Sequence, residues 1–309
     1  MMDLTLFAQI LWTGTAMSSY YVLFTIAFAL VLKVVGLWNF AQAGFMGVAF
    51  YAMYFAFNSL DFPVWAGLAF GISATVVLAG LVEVCCLRTL RTRRSSSLTF
   101  FIFTLILSEF IAYLLMLLFG TEPITLFPSI LSPVRVAANI TISDWDLVAL
   151  SSTVAFSLAL WGFLRFHREG QFLTAVADNG PLEELYGISA KRAYLVAMTI
   201  AAVFGCAGMY LFGTRAGVIP TTPVELMLFA VIATLLGGMG RIFSAALAAV
   251  VIGLVQSFSV LVIPSAWQNL LLYGFLFFTI LIFPRGFRIP RLWPMKGAHL
   301  ATPPAAKST

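Results

Sequence analysis

Nine apolar runs follow one another along the chain with only short polar breaks: Leu6–Leu32, Leu37–Phe57, Val64–Val82, Leu98–Phe119, Leu147–Leu164, Tyr194–Phe212, Leu226–Leu236, Ile242–Ile263 and Trp267–Phe283. Roughly 20 consecutive apolar residues carry a helix across the hydrocarbon core of a bilayer. The runs are continuous rather than alternating, which excludes the period-two pattern of a membrane β-barrel. The pattern therefore predicts an all-α polytopic membrane protein of about 8–9 transmembrane helices, with residues 1–309 forming a single membrane domain.

Composition agrees: 61% of the 309 residues are hydrophobic and only 9% charged, a balance no soluble domain has. The position of the charges says more than their sum. If the runs alternate in direction, Lys33, Arg88, Arg91, Arg93, Arg94, Arg165, Arg168, Lys191, Arg192, Arg241, Arg285, Arg288, Arg291 and Lys296 share one side, and only Arg135 and Arg215 fall on the other. That other side holds Asp3, Asp61, Glu122, Asp144, Asp146 and Glu225. The positive-inside rule then places the N-terminus outside and the C-terminus in the cytosol. These basic clusters are topology signals, not a nucleic-acid surface. No Lys or Arg precedes Lys33, so the first run reads as a retained span rather than a cleaved leader. Cys85, Cys86 and Cys206 offer neither a disulfide framework nor metal spacing and read as packing residues. The tail from about 290 to 309 turns Ala/Pro/Ser/Thr-rich and is expected to be disordered.

Two of the apolar stretches are interrupted: Gly36-Leu-Trp-Asn39-Phe-Ala-Gln42-Ala-Gly44-Phe-Met-Gly47, and Leu236-Gly237-Gly238-Met-Gly240-Arg241. Irregular backbone at membrane depth is tolerated only where protein buries it or it lines a wet cavity. Paired interruptions in two halves of a transporter point to a solute route, whereas the plainer reading is glycines that let helices approach, plus a tight turn. Candidate route residues are Asn39, Gln42, Gly44, Gly47, Gly237, Gly238 and Gly240. Glu109 joins them as the ionisable group near the middle of a run, where a charge costs roughly 2.5–3.5 kcal/mol and must be protonated, paired or solvated. Tyr113, one turn on, could share a hydrogen bond with it.

The segment from Arg165 to Arg192 is a long polar island on the basic side. Within it Gly180 can cap a short helix beginning at Pro181, Glu183 and Glu184 suit its first turn, and Gly187 with Ile188 suits its end. Leu182, Leu185 and Tyr186 would form one apolar face, which two turns of helix cannot stabilise alone in water. Either the membrane domain or a separate partner must cover it.

In this segment Ala175, Leu185, Gly187, Ile188 and Arg192 resemble the coupling loop of permease subunits of branched-chain amino acid ABC importers, the LivH/LivM type. Gly36-Leu-x-Asn39-Phe-Ala-x-x-Gly44 resembles that family's Gly-x-x-Asn-Phe-Ala-His-Gly motif, and Leu236-Gly237-Gly238-Met239-Gly240 its Leu-Gly-Gly-x-Gly. Thr104, Ser108, Phe119-Gly120-x-x-Pro123 and Phe127-Pro128 fit its fourth span and following loop, and Pro284-x-Gly286 fits its end. Thr174 stands where Arg is usual, Glu183-Glu184 where small residues are usual, Gln42 where His is usual, and Glu109 where an apolar residue is typical.

The resemblance implies an ATPase-docking segment over Ala175, Asp178, Asn179, Leu182, Glu183, Glu184, Leu185, Tyr186, Gly187 and Ile188. It implies four companions: cytosolic ABC ATPase subunits that carry ATP and Mg, a second homologous permease in a heterodimer, a periplasmic solute-binding protein, and the bilayer of the bacterial cytoplasmic membrane. The solute implied is a branched-chain or related amino acid, with urea or short amides as the alternative within the family. Independently, the chain contains no Gly-x-x-x-x-Gly-Lys-Ser/Thr and no constellation for catalysis, so no cofactor is expected on it and ATP must bind elsewhere. An ion-coupled transporter working alone would need more membrane carboxylates than Glu109.

Overall fold

The computed structural model describes residues 4–127, 134–137, 140–185 and 189–261, with scattered positions from 264 to 281. The expected run Trp267–Phe283 lies mostly outside the described residues, as do the whole 290–309 tail and Tyr186, Gly187 and Ile188.

Helices follow the apolar runs closely. They are α1 (Leu4–Val35), α2 (Ala41–Asn58), α3 (Val64–Val82), α4 (Arg88–Thr92), α5 (Ser97–Phe119), α6 (Asp144–Phe166), α7 (Arg168–Leu185), α8 (Ala190–Gly213), α9 (Thr222–Gly237) and α10 (Ile242–Ser259). A π-helical turn, Glu83–Leu87, fuses α3 to α4, so Val64–Thr92 is one rod. Among the described residues six helices are long and apolar enough to cross a membrane: α1, the α3–α4 rod, α5, α6, α8 and α10. The protein is thus a multi-pass membrane protein. α9, at 16 residues, is apolar but shorter. α2, 18 residues long, falls outside the six because glycine and polar groups dilute its first turns.

The all-α expectation misses one element. Strands β1 (Val134–Ala137) and β2 (Ile140–Ser143) pair antiparallel, Val134 opposite Ser143. The Gln9 amide of α1 completes the edge of β2, donating to the Thr141 carbonyl at 3.0 Å and accepting from its N–H at 2.7 Å. Ser143 then caps α6: its hydroxyl accepts from Trp145 N–H, and Asp146 accepts from Ser143 N–H in a capping box.

α1 is the axis of the fold, buried along most of its length and packed by α6, α8, α9 and α10. α10 runs antiparallel to it, with Ser257 and Leu254 against Gly14 and Ser18 against Gly253. α2 runs parallel to α5, Gly44 facing Ile111 and Gly47 facing Leu115, and antiparallel to α3, Gly67 facing Phe57 and Gly71 facing Met53. One end of the bundle therefore carries the β-hairpin, the start of α1 and the ends of α5 and α8; these last two are tied by the bridge between Ile124 and Val218. The opposite end carries α7 and the turns rich in Lys and Arg. α5, α6 and α10 present broad apolar faces outward, among them Leu117, Leu118, Phe110, Leu158 and Leu247.

Candidate functional site

The two interrupted stretches fall at connections between helices, α1 to α2 and α9 to α10, and they differ in kind. At the first, α1 stops at Val35 and residues 36–40 run back alongside it, so that Trp38 and Phe40 pack on Phe28. The end of this non-helical segment is buried, Asn39 being 1% exposed, while Gly36 at its start is exposed. Its polar groups have partners. Asn39 Oδ1 accepts from Ala41 N–H at 3.2 Å, and its amide donates to Met198 Sδ of α8 at 3.3 Å. Thr104 of α5 accepts from Phe40 N–H at 3.2 Å. Asn39 thus closes an Asx turn onto the first residue of α2. Gln42 follows, buried, with its Nε2 unpartnered among the described residues. It lines a small cavity of about 10 Å³ with Thr75, Met46 and Gly205, the volume of one water-sized group. Gly44 and Gly47 are contact points of α2 on α5.

At the second break, α9 ends at Gly237, whose missing Cβ lets the Ala245 backbone approach; a Cβ there would stand 2.3 Å from Ala245 Cα. Gly238 and Gly240 take φ of 93° and 86°, which side chains disfavour. The chain reverses directly into α10, Gly238 N–H bonding Leu235 O and Arg241 N–H bonding Gly238 O.

Glu109 sits half-buried on the flank of α5, beside outward-facing Ile106, Phe110 and Tyr113. The expected hydrogen bond to Tyr113 is absent. Tyr113 is 65% exposed and points away from the bundle, because the buried face of α5 runs through Thr104, Ser108, Ile111 and Leu115. Glu109 has no hydrogen-bond or ion-pair partner among the described residues.

The polar island folds differently from its punctuation. A single helix, α7, begins at Arg168 and passes through Gly180 and Pro181 to Leu185, so Gly180 is not an N-cap and Pro181 is not a first position. Proline there removes the bond to the Ala177 carbonyl and crowds that carbonyl with its ring. The preceding residues drive the helix, because Leu173 and Val176, one turn apart, are buried against the bundle at 1% and 4% exposure. α7 packs on α6, α8 and the end of α1. Its entry is tight: a Cβ on Gly170 would meet the Phe163 carbonyl at 2.1 Å, and Gln171 reaches back to Arg165 O at 3.1 Å. Glu169 pairs with Arg192 of α8 at 2.5 Å. Of the expected docking residues Ala175 is half-buried and Asp178 exposed. Asn179, Leu182, Glu183, Glu184 and Leu185 lie on the helix, but their side chains are outside the described residues.

One polar pair escapes the sequence reading. Glu83, 3% exposed, bonds Arg91, whose guanidinium also lies 4.3 Å over the Tyr194 ring of α8. A spacing of eight leaves two residues about 80° apart around an α-helix. The π turn between them inserts the rotation that realigns them, and such turns concentrate at functional sites. Glu83 Oε2 and Arg91 Nη1 remain buried without partners among the described residues.

A multi-pass bundle of apolar helices with a polar helix seated across one end is the architecture of a membrane transport component. The chain belongs to the family described as branched-chain amino acid transport system / permease component, which it matches over residues 10–281. It is 25% identical to the high-affinity branched-chain amino acid transport system permease protein LivH of Escherichia coli over 294 residues, covering 91% of this chain and 94% of the relative. LivH of Salmonella typhimurium is 24% identical over the same shares. The corresponding permease BraD of Pseudomonas aeruginosa is 24% identical over 293 residues, covering 91% of this chain and 95% of the relative.

Proposed function

We propose that the protein is the permease subunit of an ATP-driven importer of branched-chain or related amino acids in a bacterial cytoplasmic membrane. The hairpin end faces outside and the α7 end faces the cytosol, giving nine crossings when the run at 267–283 is counted. The observation that carries this reading is α7. Its inner face is seated on three membrane helices, so a force on its outer face reaches the transport domain through α6, α8 and α1. Cytosolic ATPase subunits holding ATP and Mg dock there, a periplasmic binding protein delivers solute at the hairpin end, and a second homologous permease packs on the outward apolar faces.

The permease purified from its native membrane is expected to bring down an ATPase, and membrane vesicles are expected to take up solute in the presence of ATP. Uptake driven by an ion gradient without ATP would overturn the proposal.

Glu109 lies beside the outward face that the second permease covers. Glu109→Gln is expected to leave the subunit folded, since nothing described in the chain bonds the carboxylate, while uptake falls several-fold. Unchanged uptake would remove Glu109 from the route.

A further inference from the structure

Four arginines fall within the seven residues 88–94, at the end of the bundle that carries α7. The structure divides them. Arg91 turns inward, bonded to the buried Glu83 and resting over the Tyr194 ring of α8, which pins the turn to the bundle. Arg88, Arg93 and Arg94 are exposed, and none has an ion pair or a side-chain hydrogen bond among the described residues. Glu83 is the only acid in the α3–α4 rod, and it is spent on Arg91. Three positive charges therefore stand unopposed at the outer end of the rod.

The backbone places one of these charges at a cost. α4 ends in a Schellman motif: Ser95 N–H bonds Leu90 O at 3.2 Å, and Arg94 N–H bonds Arg91 O at 3.0 Å. Arg94 holds the left-handed position of that motif, with φ 53°, which glycine fills without strain. A charge that served only to orient the chain in the membrane could sit on any neighbouring residue. Here arginine occupies the one position of the turn that disfavours a side chain. The same rod also carries an outward apolar stripe. Val77, Leu81 and Val84 are 59%, 56% and 48% exposed and follow one another at helical spacing. Exposed Arg88 comes one turn after Val84. From Val77 to Arg88 the rod rises about 16 Å. That is the depth of one leaflet of a hydrocarbon core roughly 30 Å thick.

We propose that this face is a binding site for an anionic phospholipid. The headgroup phosphate lies among the guanidinium groups of Arg88, Arg93 and Arg94, and one acyl chain runs along Val84, Leu81 and Val77. Charge complementarity selects the headgroup, because basic groups at a membrane surface draw anionic lipids to them. A guanidinium also matches phosphate oxygens in geometry, through parallel N–H donors. The apolar stripe selects a lipid over free phosphate, which has nothing to lay on it. The site is independent of which solute the permease carries.

The test uses an equal mixture of dioleoyl phosphatidylglycerol and dioleoyl phosphatidylcholine, which share their chains and differ in headgroup charge. The full-length permease takes up lipid from this mixture in neutral detergent, and native mass spectrometry counts what stays bound. Phosphatidylglycerol is expected to be enriched about tenfold or more, and inorganic phosphate in excess should not displace it. The triple variant Arg88→Gln/Arg93→Gln/Arg94→Gln should bring the two lipids close to parity. Arg165→Gln/Arg168→Gln/Lys191→Gln removes the same charge from the same end of the bundle and should leave the enrichment intact. Arg94→Gly separates binding from folding. It relieves the positive φ, so the melting temperature should hold or rise while the enrichment falls about fivefold. The site would be overturned by an unmodified protein that shows no enrichment, or by a triple variant that keeps it. Equal loss in the control variant, or displacement by inorganic phosphate, would overturn it as well.

Discussion

Gly237→Val is expected to abolish the folded permease. At the turn between α9 and α10, a Cβ on residue 237 would stand 2.3 Å from Ala245 Cα and 2.4 Å from Ala245 N. Overpacking costs about 1–3 kcal/mol where side chains can shift aside. Here the obstacle is backbone inside a helix, so relief requires α9 and α10 to separate. Both are core elements: α10 lies along α1, and the Phe229 ring of α9 stacks on Tyr21 at 3.7 Å. The measurement is the yield of monodisperse protein in detergent by size exclusion, with Gly162→Ala as control, since nothing lies within 4 Å of a Cβ there. A normal yield of Gly237→Val would show that the close helix crossing is not needed for folding.

The helices were legible because a bilayer leaves the chain little choice. Backbone groups in hydrocarbon must be satisfied within the segment, so apolar runs and helices nearly coincide. The connections at residues 36–40 and 238–241 were legible too, through residues whose chemistry is local. Asn39 bonds the backbone two residues on, and Gly238 and Gly240 adopt positive φ. What escaped was decided by rotation or by tertiary contact. Glu83 and Arg91 meet across a stretch that contains a π turn, and spacing alone does not announce such a turn. Glu109 and Tyr113 sit one turn apart, yet the packing of α5 turns Tyr113 outward. Gly180-Pro181 reads as a helix start, but Leu173 and Val176 had already seated α7.

The double variant Leu173→Glu/Val176→Glu is expected to uncouple the transporter. The two side chains are the apolar seat of α7, and burying each contributes about 1.5–3 kcal/mol. Replacing both forfeits that contribution and asks two carboxylates to leave water, which α7 avoids by lifting away from α6, α8 and α1. The Glu169–Arg192 pair, whose arginine is exposed, is not expected to hold it, because ion pairs at the surface contribute about 0–1 kcal/mol. The membrane helices make their own contacts and are expected to insert and fold normally. The variant should therefore run as a monodisperse permease that brings down little ATPase and supports no ATP-dependent uptake. The informative contrast is Asp178→Ala on the exposed side of the same helix, which leaves the seat intact and alters only the surface offered to a partner. If the double variant kept both its ATPase and its uptake, docking would have to run through another element of the same end of the bundle, and the segment from α4 to Ser96 would be the first to test.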